Sequence, residues 1–145
     1  MRVIVVGGGV IGSAIAFHLA KGGDEVVLVE QFDSLHRRGS SGGESRIIRR
    51  TYPSTLYARL MVEAYDAWKV LEEETSTRLV HRCGGVDILP GNSSLLAPLV
   101  DANESCGVEA ERLDRERLHE RFGLEVPDTY VGFVEENAGV LNANR

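Results

Sequence analysis

A run of three glycines, followed by Gly12, separates an apolar segment from a segment that can form a helix. Residues 3–6 are uninterruptedly β-branched, which is typical of a strand buried on both faces. Gly7 permits a tight turn, Gly9 lets the backbone approach a pyrophosphate, and Gly12 lets a helix pack against the strand. The pattern therefore predicts a strand–turn–helix unit that can bind phosphate groups.

The residues that follow extend this unit. A helix predicted over residues 12–21 directs its N-terminal amides and the positive end of its dipole at the phosphates. Residues 25–30 predict a second strand, and Glu30 ends it at the distance where a carboxylate accepts hydrogen bonds from an adenosine ribose. The order of elements predicts a dinucleotide-binding site. Its candidate residues are Gly7, Gly9, Val10, Ile11, Gly12, Glu30 and Gln31.

The glycine motif alone leaves both NAD and FAD open. An acid at position 30 disfavours a 2′-phosphate, so NADP fits least well. The other interpretation is a glycine-rich turn that binds no nucleotide. The complete series of strand, helix, strand and acid argues against it.

Composition excludes several classes of protein. The chain has 145 residues, of which 43% are hydrophobic and 26% charged, as in ordinary globular proteins. Its net charge of −6 argues against nucleic-acid binding, and its longest apolar run is too short for a membrane span. The spacing of the cysteines and histidines matches no metal-binding motif, so we expect no metal site. Two cysteines, Cys83 and Cys106, are too few for a disulfide framework, so we expect an intracellular protein with reduced thiols. We also expect no secretory or transit peptide before the first strand.

After residue 30 the alternation of strands and helices does not continue, so we expect an incomplete dinucleotide-binding domain. Residues 31–45 predict a loop, and residues 54–74 predict a helix. The apolar face of that helix is predicted to contain Leu56, Leu60, Ala64, Trp68 and Leu71.

The remaining residues alternate between predicted strands and helices. The predicted elements are extended chain over 78–90, a helix over 93–105, a short strand over 108–111, a helix that Asp114 caps and that buries Leu118 and Phe122, and a strand over 130–135. The predicted fold class is α/β, with a Rossmann-like βαβ start followed by part of an α+β substrate domain.

We predict a domain boundary near residue 75. Residues 1–75 are the predicted dinucleotide-binding segment, and residues 76–145 are the predicted start of an incomplete substrate-binding domain.

Five arginines lie within 14 positions of this acidic chain, at residues 37, 38, 46, 49 and 50. Arg37 and Arg38 are expected to be solvated. Arg46 and Arg49 flank two isoleucines, so their guanidinium groups are expected to be partly buried and to need anionic partners. Because a planar guanidinium binds a carboxylate through two parallel hydrogen bonds, it can fix the orientation of a carboxylate ligand.

Residues 39–49 (GSSGGESRIIR), followed by Tyr52, resemble the flavin-binding loop of the sarcosine oxidase and pipecolate oxidase family. The similarity covers essentially the whole chain, and this loop is its most specific part. It extends through residues 30–33, the helix with Tyr57 and Trp68, the strand at Gly84 and Gly85, residues 127–132 and residues 139–141.

The resemblance implies an FAD-dependent amine oxidase in the cytoplasm or in peroxisomes. Such enzymes oxidise the C–N bond of secondary amino acids, such as sarcosine or pipecolate, to an imine, with O₂ as acceptor and H₂O₂ as product. By this resemblance, Arg49 binds the substrate carboxylate and Arg46 lies against the flavin ring. Tyr52 lies near the substrate pocket. The implied flavin contacts are Ser40, Ser41, Gly42, Arg46 and Ile47.

Two departures from the family pattern keep alternatives open. Gly42 stands where the family usually has a histidine close to the flavin. The family fold is also much longer, and its flavin-linking cysteine, two functional lysines and remaining strands correspond to positions beyond 145. The alternatives are an NAD-linked dehydrogenase and a truncated, catalytically inactive dinucleotide-binding fragment.

Overall fold

A computed structural model describes residues 1–33 and 36–143. The contacts divide the chain into two compact units, Met1–Ser45 with Ala143, and Arg46–Asn142. In chain order the elements are β1 (Arg2–Val6), α1 (Val10–Lys21), β2 (Glu25–Val29), β3 (Ser45–Ile48), α2 (Thr55–Thr75), β4 (Val80–Arg82), β5 (Gly85–Pro90), α3 (Leu96–Cys106), β6 (Glu111–Leu113), α4 (Arg115–Phe122), β7 (Tyr130–Glu135) and β8 (Gly139–Asn142).

The first unit contains the predicted strand–helix–strand series. β1 and β2 pair in parallel, with Val3 opposite Val26, and α1 connects them. The helix ends at Gly22, and Gly23 follows with a φ of +92°, which a glycine adopts without strain. The predicted order of elements is therefore confirmed.

The burial predicted for β1 was wrong. Val5 is buried, but Ile4 is 66% exposed and Val6 is 83% exposed. The reason is that the sheet of β1 and β2 has two strands within the described residues, so most of its faces are uncovered. Continuous β-branched sequence indicates a strand made for burial, but neighbouring layers decide whether it is buried.

The second unit contains two sheets of three strands. Their strand orders are β3-β8-β4 and β5-β7-β6. β7 pairs antiparallel with β5, so that Gly85 lies opposite Glu135 and Asp87 lies opposite Phe133. The contacts divide the chain at Ser45, so α2 belongs to this unit. The functional boundary near residue 75 stays a prediction.

Helix α2 buries a face that matches the predicted one only in part. Ala58 and Tyr65 are buried, whereas Leu56 is 64% exposed and Leu60 is 49% exposed. Trp68, which was predicted on the buried face, does pack beside Tyr65 against the cluster of Ile48 and Val80. The Tyr65 hydroxyl donates a hydrogen bond to the Asn137 carbonyl at 2.9 Å. This bond and the packing of the ring against Ile48 and Val80 hold Tyr65 on the buried face of the helix.

The C-terminal third is mostly as predicted, with shifted boundaries. The helix predicted over 93–105 is α3, which begins at Leu96, and the strand predicted over 108–111 is β6, which begins at Glu111. Asp114 caps α4 by accepting a hydrogen bond from the Arg117 amide at 3.0 Å. Among the described residues, every helix is too short or too polar to span a bilayer.

The face predicted for α4 is half correct. Leu118 is fully buried against the cluster of Leu113 and Val134. Phe122 is 43% exposed, and its ring lies under the Arg121 guanidinium at 5.1 Å. Phe122 is the last residue of the helix.

We expect Leu118→Ala to lower the free energy of unfolding by about 2–5 kcal/mol. The physical reason is close packing, since a Cβ added at Gly132 would lie 2.6 Å from Leu118 Cδ2. Phe122→Ala is the matched control on the same helix, and we expect it to cost about 1 kcal/mol or less. Urea unfolding followed by circular dichroism measures both changes. Equal losses in the two variants would contradict the assigned packing.

Candidate functional site

At Gly7 and Gly12 the turn between β1 and α1 has the geometry that the motif requires, whereas a Cβ added at Gly9 would lie 3.0 Å from Ser41 Oγ. Gly7 has a φ of +101°, and a Cβ added to it would meet no atom within 4 Å. A Cβ on Gly12 would lie 1.8 Å from the Gly7 carbonyl oxygen, so the helix can approach the turn only without a side chain there. The turn therefore has open space at Gly7 and a closely packed helix start behind it.

Glu30 lies at this turn. Its Oε2 accepts a hydrogen bond from the Gly8 amide at 2.7 Å, and its Oε1 accepts from the amides of Gln31 at 2.7 Å and Phe32 at 3.2 Å. These bonds, above all the one from Gly8, lower the pKa of the Glu30 carboxyl from its ordinary 4.5, while desolvation opposes them. The acid predicted to contact a ribose is therefore held ionised beside the turn.

Two serines also contact the glycine turn. Ser41 Oγ accepts a hydrogen bond from the Val10 amide at 3.1 Å, and Ser13 Oγ donates to the Gly8 carbonyl at 3.1 Å. Ser41 belongs to the loop that resembles a flavin-binding loop, so the structure brings that loop to the start of α1. Ser40 and Gln31, the other polar residues predicted in the first unit, are exposed.

The backbone around Gly42 leaves little space for a side chain. A Cβ at this position would lie 2.8 Å from the Arg37 Cα and 3.2 Å from the His36 carbonyl oxygen. The loop therefore has no room for the histidine usual at this position in the resembled family. Arg37 itself is 70% exposed with Glu44 at 3.6 Å, as expected for a solvated arginine.

The remaining predicted residues belong to the second unit. Arg46 is half-buried on β3, Ile47 beside it is 80% exposed, and Ile48 is buried. Arg49 follows the strand, and its guanidinium carbon lies 5.0 Å from the centre of the Tyr52 ring. The structure thus brings together Arg49 and Tyr52, two of the three predicted catalytic residues. Their roles stay predictions.

Arg49 has an anionic partner within the chain. Its Nη1 forms an ion pair with Asp87 Oδ1, and Asp87 Oδ2 accepts a hydrogen bond from Thr51 Oγ1 at 2.7 Å. Sequence reasoning predicted the need for a partner but did not identify Asp87. A signal was present, since Asp87 is the one charged residue of the strand GVDILP.

Glu135 is the second acid that the sequence left unassigned. Its side chain is 1% exposed, and its carboxylate accepts from Arg50 N at 2.8 Å, Arg50 Nε at 2.8 Å and Thr51 N at 3.2 Å. The Arg50 guanidinium carbon lies 5.4 Å from the centre of the Tyr65 ring. Burial and then the Glu135 charge raise the pKa of Tyr65 to about 12. Glu135 therefore fixes the chain immediately after Arg49.

Within residues 1–33 and 36–143, no group of three His, Cys, Asp or Glu side chains could hold a metal ion. Cys83 and Cys106 are both free thiols. The polar groups brought together are those of the glycine turn and those around Arg49. The first set is suited to binding a dinucleotide, and the second to binding a carboxylate.

This chain is similar to known proteins over nearly its whole length. Residues 2–145 match the family described as FAD dependent oxidoreductase. Peroxisomal sarcosine oxidase of Homo sapiens is 40% identical over 142 residues, which are 97% of this chain and 36% of that protein. Probable sarcosine oxidase of Arabidopsis thaliana is 34% identical over 145 residues, 99% of this chain and 35% of that protein. The chain thus spans little more than a third of the length of these relatives.

A solved structure has the same fold. NikD, described as an unusual amino acid oxidase essential for nikkomycin biosynthesis, aligns with a TM-score of 0.81 at 26% identity. The alignment covers 97% of this chain and 37% of the NikD chain. It confirms the predicted fold class, an α/β chain with a Rossmann-like start.

The ionised state of Glu30 predicts a pH-dependent stability. The folded pKa is below the ordinary value of 4.5, so the stabilisation is present above that value and is lost as pH falls through the folded pKa. We expect Glu30→Gln to lower the melting temperature at about pH 7 and to have a smaller effect at about pH 3. Glu25→Gln, at a carboxylate that is 68% exposed, is the control. A deficit in Glu30→Gln that stays constant over this pH range would contradict the assignment.

Proposed function

Because the chain belongs to the family of FAD dependent oxidoreductases, we propose that the protein binds FAD on its glycine turn and oxidises secondary amino acids. The family match over residues 2–145 carries this proposal. Because two relatives are named sarcosine oxidase, we propose N-methyl amino acids as substrates of this protein. The family resemblance adds pipecolate to the proposed substrates. A cytoplasmic or peroxisomal location is part of the proposal, since the human relative is named peroxisomal.

The residues of the first unit fit an adenine dinucleotide. The open space at Gly7 and the start of α1 suit a pyrophosphate, since helix N-termini favour anions. The Glu30 carboxylate, held ionised by the Gly8 amide, is suited to accept hydrogen bonds from ribose hydroxyls. The residues of this unit that are proposed to hold FAD are Gly7, Gly9, Val10, Ile11, Gly12, Glu30, Gln31, Ser40, Ser41 and Gly42.

In the second unit, Arg49 is proposed to bind the substrate carboxylate. Its side chain is 34% exposed, so the guanidinium can reach a ligand, and the Tyr52 ring lies beside it at 5.0 Å. Carboxylate binding by Arg49 fixes the orientation of the carbon next to the amine nitrogen. The resemblance assigns Arg46 to the flavin ring, where its positive charge would favour the reduced flavin.

Bound FAD supplies the two-electron acceptor for the reaction. Overall, the substrate loses a hydrogen from carbon and one from nitrogen as its C–N bond becomes C=N. O₂ gains the two electrons and two protons and leaves as H₂O₂. Water then hydrolyses the imine.

The cofactor assignment predicts a yellow protein. We expect the purified, intact protein to show flavin absorbance bands and Gly12→Ala to lose them, because the added Cβ would lie 1.8 Å from the Gly7 carbonyl oxygen. Gly22→Ala, at the other end of α1, is the control that should keep them, since Gly22 has a φ of −75° and its Cβ would lie 3.3 Å from the Leu19 carbonyl oxygen. Release of NAD instead of FAD on denaturation would favour the dehydrogenase alternative.

The substrate assignment predicts peroxide formation from sarcosine or pipecolate by the intact protein. We expect Arg49→Ala to lower kcat/KM by roughly 10- to 100-fold, mainly through KM, since it removes a charge-assisted hydrogen bond to the carboxylate. Arg37→Ala, at a guanidinium that is 70% exposed, should leave kcat/KM unchanged. Peroxidase-coupled assays measure both variants. Flavin binding without peroxide from any secondary amino acid would favour the inactive-fragment alternative.

A further inference from the structure

Asp87 forms an ion pair with Arg49, the residue that is proposed to bind the substrate carboxylate. Asp87 Oδ1 pairs with a single nitrogen of Arg49, Nη1. A guanidinium has five N–H donors, so the other nitrogens can still bind a second carboxylate. A carboxylate ligand would therefore bind a guanidinium that is already paired with Asp87.

Asp87 is held by a second contact besides Arg49. It lies on β5 opposite Phe133 of the neighbouring strand β7, and its Oδ2 is bound by the hydroxyl of Thr51. Thr51 is 1% exposed, and its amide is fixed in turn by Glu135. These contacts hold the Asp87 carboxylate at the guanidinium of the partly exposed Arg49.

Arg49 and its neighbour Arg50 are each paired with one carboxylate, so their positive charges are neutralised. Arg49 is paired with Asp87, and Arg50 is paired with the buried Glu135. A carboxylate that binds Arg49 is attracted by the guanidinium and repelled by the nearby Asp87 carboxylate. The preference for a charged carboxylate over a neutral amide is therefore smaller than an arginine without an acid partner would give.

We propose that Asp87 is a positioning and specificity residue, which holds Arg49 Nη1 through its carboxylate and thereby limits how strongly the site prefers carboxylate ligands over neutral ones. This inference rests on the proposed role of Arg49. It concerns Asp87, Arg49 and Thr51, which all belong to the second unit.

Acetate and acetamide test the inference, because they differ in charge, resemble each other in shape and contain no oxidisable amine. Their dissociation constants for the intact, FAD-bound protein can be measured by ligand-observed NMR. We expect Asp87→Asn to bind acetate about fivefold more tightly, a factor equal to about 1 kcal/mol, with acetamide unchanged. Asp87→Glu should restore a preference close to that of the wild type.

Two further variants separate this inference from the proposed function. Asp128→Asn, at a carboxylate that is 81% exposed and paired with Arg115, should change neither constant. Arg49→Ala should abolish the preference for acetate. If Arg49→Ala does so but Asp87→Asn leaves the acetate-to-acetamide ratio unchanged or lowers it, the inference is wrong and the role of Arg49 stands. If Arg49→Ala does not alter acetate binding, the proposed carboxylate site is wrong, and the inference is wrong with it.

Thermal unfolding of each variant controls for a merely structural role of Asp87. If Asp87→Asn destabilised the fold without affecting charge selection, both ligands would bind less tightly by similar factors. That result would overturn the inference. A selective gain for acetate in a variant with the wild-type melting temperature would support it.

Discussion

The buried carboxylate of Glu135 determines the path of the chain after β3. A carboxylate that is 1% exposed needs several hydrogen bonds, because burial removes it from water. Glu135 obtains them from the backbone and side chain of Arg50 and from the Thr51 amide. The position of Arg49 next to this segment, and hence its pairing with Asp87, depends on that arrangement. The candidate carboxylate site is therefore built on a buried ion pair.

The two acids that face residues 49–51 come from one sheet. Glu135 lies opposite Gly85 in the β5–β7 pair, and Asp87 is two residues further along β5, so both side chains project from the same face. One acid fixes the backbone, and the other contacts a guanidinium that remains a third exposed. This division of roles leaves Arg49 accessible to a ligand while its chain segment is rigidly held.

In the first unit, the glycine turn and Glu30 depend on each other. The Gly8 amide contributes most to lowering the pKa of Glu30, and the bond in turn fixes the acid beside the turn. The sequence predicted this proximity because parallel strands joined by one helix bring the ends of β1 and β2 together. Local spacing was enough here, since the turn, helix and acid lie within the first 30 residues.

The sequence by itself determined the strand–helix–strand order, the need for glycine at positions 7 and 12, the Asp114 cap and the location of most helices and strands. These features depend on local backbone sterics and hydrogen bonds between near neighbours. Only the tertiary structure decided that Tyr65 rather than Leu60 faces the core, that Phe122 stays exposed, and that Asp87 and Glu135 receive the arginines. Those outcomes depend on which strands lie side by side, and residues separated by 38 or 85 positions meet only when the sheet has formed.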